Sequence, residues 1–85
     1  MSEERCWSMC YLMTESDLMA SRGAVRGYAM QRIEEMLWRE SGHTPQTHRI
    51  MWEERAAPFG GTILEGRLYT VATFDRLAER MRRAA

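Results

Sequence analysis

The amino-acid sequence predicts an α+β fold of two layers in the order β-α-β-β(-β)-α: an antiparallel-rich sheet, one long helix packed across it and a short C-terminal helix. Apolar residues recur with helical spacing over residues 25–40 and 73–85, whereas residues 47–55 and 62–73 have the composition and alternation of strands. The 85 residues suffice for a single domain, residues 1–85, and the 45% that are hydrophobic provide material for a core.

The first segment, RCWSMCYLM at residues 5–13, fits two structures. As a strand it is apolar on both faces, which is typical of a central strand. As a helix it has Ser2 as a cap, with Glu3 and Glu4 in the first turn. Tryptophan, tyrosine and cysteine favour the strand, and a sheet of one hairpin alone is marginal, so a strand is expected while the helix stays open.

The long helix is predicted over Val25–Glu40, with Gly42 at the left-handed position that ends many helices. Its apolar arc is formed by Val25, Ala29, Ile33, Met36 and Leu37. Its beginning has two interpretations. Thr14 and Asp17 resemble a capping box, so an earlier helical turn meets the long helix at a bend, or else the helix starts near Ser21.

A hairpin is predicted next. In THRIMWEER, Ile50 and Trp52 point to one side and Met51 points to the other, as in a strand. The segment AAPFGG is a turn by composition, and TILEGRLYTVAT is a second strand. Gly66 inside that strand marks either a bulge or a tight turn at Glu65–Gly66 that divides it in two.

The tail TFDRLAERMRRAA predicts a short amphipathic helix with Thr73 as its N-cap. Asp75 in its first turn and arginines in its last turn suit the helix dipole. Its apolar stripe is Phe74, Leu77, Ala78 and Met81.

Composition excludes several classes of protein. Twelve arginines balance twelve acidic residues, which argues against strong electrostatic binding to nucleic acid or to an anionic membrane. No apolar run approaches the roughly 20 residues that span a bilayer, and the acidic start MSEER is unlike a secretory signal, so a cytoplasmic protein without membrane contact is expected. Lysine and asparagine, which have A-rich codons, are absent, and this indicates a high-GC bacterium or its phage.

The two cysteines and two histidines suggest a zinc site as an alternative, with Cys6, Cys10, His43 and His48 as ligands. Zinc requires two sulfur ligands within about 4 Å of each other. In a strand the Cα atoms of Cys6 and Cys10 would lie about 13 Å apart, because each residue advances about 3.3 Å. The strand and the zinc site therefore exclude each other, and we expect no metal or other cofactor.

Catalysis finds no support, because the chain has no nucleophile motif and no glycine-rich phosphate loop, so an enzyme is not expected. A nucleic-acid-binding module is a second alternative. Its candidate residues are Arg22, Arg26, Arg80, Arg82 and Arg83.

Protein interaction is the preferred class, because several large apolar side chains have no obvious place in one core. The interface candidates are Met30, Trp38, Met51, Trp52 and Phe59. The sequence therefore predicts a small non-catalytic interaction or regulatory domain that binds another protein and forms a homodimer. A modulator of a host protein, encoded by a phage or an accessory gene, fits a chain of this length.

Overall fold

The computed structural model describes residues 7–84 and shows an α+β fold. Its elements are β1 (Trp7–Met13), α1 (Glu15–Ala20), α2 (Ala24–Ser41), β2 (His48–Ala56), β3 (Thr62–Thr70) and α3 (Val71–Ala84). The three strands form one antiparallel sheet in the order β1-β3-β2. The predicted fold class, with its long helix and C-terminal helix, is confirmed.

The strand interpretation of the first segment is confirmed over residues 7–13, which pair with β3 from Trp7↔Leu68 to Met13↔Thr62. Its predicted central place is wrong, because β1 lies at an edge of the sheet. β3 is central: the hairpin pairs one side of β3 with β2 and leaves its other side for β1.

A tight turn joins the short helix α1 to the long helix α2. The Oγ1 of Thr14 accepts a hydrogen bond from the amide of Asp17 at 3.1 Å and caps α1. α1 ends in a turn where Arg22 and Gly23 have φ of 54° and 88°, and α2 begins directly afterwards. The interpretation with an early helical turn is thus confirmed, as is the end of α2 at Gly42, whose φ is 72°.

The core lies between α2 and one face of the sheet, which we call the covered face. α2 contributes Ala29, Ile33 and Leu37, and all three are buried. Their buried partners on the strands are Met13, Leu64 and Leu68.

At Gly66 a side chain of the helix packs directly on the backbone of the sheet. A Cβ at this position would lie 2.8 Å from the Cγ2 of Ile33 and 3.0 Å from the indole of Trp52. Both predictions for Gly66 are wrong, since the register passes through Met9↔Gly66 and Trp52↔Gly66 without a bulge or turn. The glycine instead makes room for the helix.

α3 begins immediately after β3, three residues earlier than predicted. The Oγ1 of Thr70 accepts a hydrogen bond from the amide of Thr73 at 3.3 Å, so Thr70 caps the helix and the predicted cap at Thr73 is wrong. α3 contacts β2 and β3, yet none of its described residues is fully buried. Met81 at the end of its apolar stripe is 60% exposed.

Candidate functional site

The backbone of β2 has a definite orientation within the sheet. The amide of Val71 donates to the carbonyl of Thr47 at 3.0 Å, and the amide of Ala57 donates to the carbonyl of Gly61 at 3.1 Å. In an antiparallel ladder, hydrogen-bonded pairs alternate with pairs that are not hydrogen-bonded. These two bonds therefore show that the odd-numbered residues of β2 exchange backbone hydrogen bonds with β3.

The even-numbered residues consequently direct their backbone groups away from the sheet. We call the outward amides and carbonyls of Ile50, Trp52 and Glu54 the outer edge of β2. Within residues 7–84 these groups form no hydrogen bond with another part of the chain. Such an edge is a template for pairing with a further strand.

A groove of about 410 Å³ lies beside the outer edge, between α2, β2 and the loop that joins them. The half-buried indoles of Trp38 and Trp52 line it together with Ile50. The rest of its lining is Glu34, Pro45, His48 and Arg49. The groove therefore places an aromatic surface next to open strand backbone.

The five predicted interface residues do not form one surface. Trp38 and Trp52 meet in the groove, and Met30 packs against the core. Met51 lies on the sheet face away from α2, which we call the open face, since it pairs with Arg67. Phe59 stands at the hairpin turn with a relative exposure of 102%.

The centre of the open face is a carboxylate. Glu65 on β3 is only 6% exposed, although this face carries mostly polar side chains. It accepts hydrogen bonds from Arg67 Nε at 2.9 Å, from Arg55 Nη1 at 3.4 Å and from the Cys10 thiol at 3.4 Å. The sequence patterns did not predict this network, although Glu65 and Arg67 stand two residues apart on one predicted strand.

Both acidic groups of this network have shifted pKa values. Burial alone would raise the pKa of Glu65, but hydrogen bonds from Cys10 and Arg67 and the charges of Arg67 and Arg55 outweigh it and lower that pKa. Burial, followed by the hydrogen bond to Glu65 and its charge, raises the pKa of the Cys10 thiol. The thiol is thus a donor held in its protonated form.

Two more charged residues of β2, Arg49 and Glu53, have no ionic partner among the residues that the structure describes. Glu53 lies directly opposite Glu65 in the register, so two carboxylates share one cross-strand position. Arg49 donates to the backbone carbonyls of Pro45 and His48. Neither Arg49 nor Glu53 forms an ion pair with any residue in the range 7–84.

The three candidate zinc ligands that the structure describes, Cys10, His43 and His48, are not brought together. The rings of His43 and His48 stack with centroids 3.7 Å apart. Cys10 lies on the other face of the sheet: it pairs with Glu65, five residues or about 17 Å along β3 from the partner of His48. Cys6 lies outside the described residues, and residues 7–84 contain no group of three or more histidine, cysteine or acidic side chains suited to a metal ion.

The arginines of the nucleic-acid hypothesis lie at two places in the fold and are partly neutralised. Arg26 pairs with Glu54, and Arg82 and Arg83 both pair with Glu79. The remaining two are the exposed Arg22 and Arg80. Arg26 sits near the C-terminal end of β2, whereas α3 begins beside its N-terminal end.

Comparison of the chain with models of protein families, with curated proteins and with solved structures gives no match. In the part of the chain that the structure describes, no helix combines the length and the hydropathy needed to cross a bilayer. The interpretation of the site therefore depends on its own geometry.

Proposed function

We propose that this chain is a small non-catalytic protein-interaction domain that binds an extended polypeptide segment as a fourth strand along the outer edge of β2. One observation carries the proposal: the outward backbone groups of Ile50, Trp52 and Glu54 lie beside the groove of Trp38 and Trp52. In strand addition, main-chain hydrogen bonds supply affinity, and pockets for alternate side chains supply specificity.

The side chains around the edge support this mode of binding. Indole rings contribute strongly to protein interfaces because they bury a large area with few rotatable bonds. The same strand carries charges of both signs: Glu53 lies on the open face, and Arg49 lines the groove, where its guanidinium donates to the carbonyls of Pro45 and His48. A ligand strand would thus meet apolar surface in the groove and both signs of charge along β2.

Such a domain acts by occupying its partner's surface and needs no cofactor. The absence of lysine and asparagine supports an origin in a high-GC bacterium or its phage, where the domain would modulate a cytoplasmic host protein. The balance of twelve arginines with twelve acidic residues favours a protein partner over nucleic acid.

A proline substitution at position 54, compared with alanine at the same position, tests the proposal. Peptides are selected from a random displayed library on the wild-type chain and then measured against Glu54→Pro and Glu54→Ala. Proline removes an outward amide without breaking the ladder to β3, whereas alanine removes the same carboxylate and keeps the amide. We expect Glu54→Pro to bind the selected peptides at least tenfold more weakly than Glu54→Ala. Equal binding by the two variants would contradict strand addition at this edge.

A further inference from the structure

The outer edge of β2 carries a charge pattern that is complementary to itself. We propose that the added strand is β2 of a second copy of this chain, antiparallel and centred on Met51, so that two three-stranded sheets become one six-stranded sheet. This inference rests on the proposed strand-addition surface and names its occupant.

The outward backbone of Ile50 and Trp52 permits this pairing as it stands, whereas the Arg49 side chain must release the carbonyls of Pro45 and His48 to reach a second copy. The outward groups of Ile50 in one copy face those of Trp52 in the other, and the two-fold axis repeats the same bonds on its other side. Met51 then lies opposite Met51 of the second copy as a non-hydrogen-bonded pair on the open face.

The side chains select this register. With Met51 at the centre, Arg49 stands opposite Glu53 of the second copy, twice, and Ile50 stands opposite Trp52 on the covered face. His48 stands opposite Glu54. Opposite charges at directly facing positions stabilise a sheet, and each of these pairs matches in chemistry.

Neighbouring registers lack this complementarity. Centring on Trp52 places Arg49 opposite Arg55 and Ile50 opposite Glu54, and centring on Glu53 places that carboxylate opposite its own copy. Centring on Ile50 leaves Glu53 opposite Thr47. Of these four registers, only the one centred on Met51 pairs opposite charges. The next register, centred on Glu54, pairs Glu53 with Arg55 but places the Glu54 carboxylate opposite its own copy.

The pairing also resolves an unfavourable feature of the single chain. Glu53 faces Glu65 across the ladder, and like charges at facing positions are destabilising. Arg49 of the second copy would approach Glu53 from its other side and supply the missing cation. The groove of Trp38 and Trp52, which lies next to this edge, would be enclosed by the same contact.

Charge reversal tests two claims together: that a second copy of this chain occupies the edge, and that the pairing is centred on Met51. Arg49→Glu and Glu53→Arg each place like charges opposite each other in a homodimer, so we expect each variant to self-associate at least tenfold more weakly than wild type in sedimentation equilibrium. Mixed one to one, they form a heterodimer in which both pairs are again opposite. The doubly reversed variant Arg49→Glu/Glu53→Arg also recovers the homodimer, which shows that a single variant's loss is not a failure to fold.

Arg32→Glu is the matched control, because this exposed arginine lies on α2 one turn beyond Tyr28, which contacts β1. It should associate like wild type. A monomeric wild type, or a mixture that stays monomeric, overturns the inference. The proposed function would then depend on the peptide comparison of Glu54→Pro with Glu54→Ala, which requires no self-association.

Discussion

The two faces of the sheet are specified by different physical means. The covered face is specified by shape: α2 approaches so closely that only a glycine fits beneath Ile33. The open face is specified by charge: Glu65 is buried among two guanidinium groups and a thiol, and Arg49 and Glu53 have no ionic partner within residues 7–84. Shape determines how this chain folds on itself, whereas charges without an ion-pair partner among residues 7–84 are what the proposed added strand would recognise.

The largest expected effect lies on the covered face. Gly66→Val places a branched side chain where a Cβ alone would lie 2.8 Å from Ile33. Overpacking of this kind costs typically about 1–3 kcal/mol and occasionally more, and we expect a loss of about 3 kcal/mol in the free energy of unfolding, measured in urea.

Gly27→Ala is the matched control for Gly66. A Cβ at Gly27 meets nothing within 4 Å, and the residue lies inside α2. Alanine is favoured over glycine in a helix by about 0.8–1 kcal/mol, so this variant should be more stable than wild type. If both variants changed stability equally, the close approach of helix and sheet would not explain Gly66.

The next effect concerns the carboxylate at the centre of the open face. Glu65→Gln keeps the shape but removes the charge that accepts hydrogen bonds from Arg55 and Arg67, both on side chains 45% exposed. Hydrogen bonds to charged groups contribute about 1.5–3 kcal/mol, and solvent screening of the exposed arginines places the expected loss near the lower value, about 1.5 kcal/mol at neutral pH.

The same variant should change the dependence of stability on pH. The folded pKa of Glu65 is lowered, so its contribution is present above the unfolded value of about 4.3 and is lost as the pH falls through the folded value. Wild type and Glu65→Gln should therefore converge in acid. A constant difference across the acid range would show that the ion network does not stabilise the fold.

A smaller effect is expected at the thiol of Cys10. Burial and Glu65 raise its pKa, and only the thiolate reacts with alkylating reagents. Cys10 is exposed to reagents, and in a Cys6→Ser background its alkylation above neutral pH should accelerate several-fold when Glu65→Gln is added. Mass spectrometry over time measures both rates, and identical rates would contradict the thiol-to-carboxylate hydrogen bond.

The smallest effect is expected at Phe59. Its ring is fully exposed at the hairpin turn, and surface substitutions away from special features change stability by about 0.5 kcal/mol or less. Phe59→Ser should unfold within that margin of wild type in urea. A larger loss would mean that the ring packs on the fold in solution.

Sequence patterns predicted the elements with local signals better than the details set by distant contacts. Gly42 and the pair of Thr14 with Asp17 are local cap signals, and both mark helix ends in the structure. The role of Gly66 was mispredicted because its cause is Ile33 on a helix more than thirty residues away.

The candidate site could be predicted only in part. Trp38 and Trp52 were predicted as interface residues because their positions left no obvious place for them in one core, but their meeting in one groove depends on how α2 crosses β2. The position of β2 at an edge follows from the strand order, which the periodicity of one chain does not contain. Which residues face Arg49 and Glu53 can be stated only once the ladder register is known.

The most direct test of the account uses the two-fold position of the proposed pairing. In a Cys6→Ser/Cys10→Ser background, Met51→Cys places two Cα atoms about 4.5 Å apart across a non-hydrogen-bonded pair, within reach of a disulfide. Glu53→Cys tests the alternative register centred on Glu53, in which its two Cα atoms would be about 4.5 Å apart instead of about 14 Å along the strand. Phe59→Cys reports random collisions.

Formation of the covalent dimer under mild oxidation is followed on non-reducing gels. The account predicts that Met51→Cys cross-links rapidly while Glu53→Cys and Phe59→Cys remain largely monomeric. Cross-linking of Met51→Cys no faster than that of Phe59→Cys, or faster cross-linking at position 53, would contradict the pairing of β2 with its own copy centred on Met51.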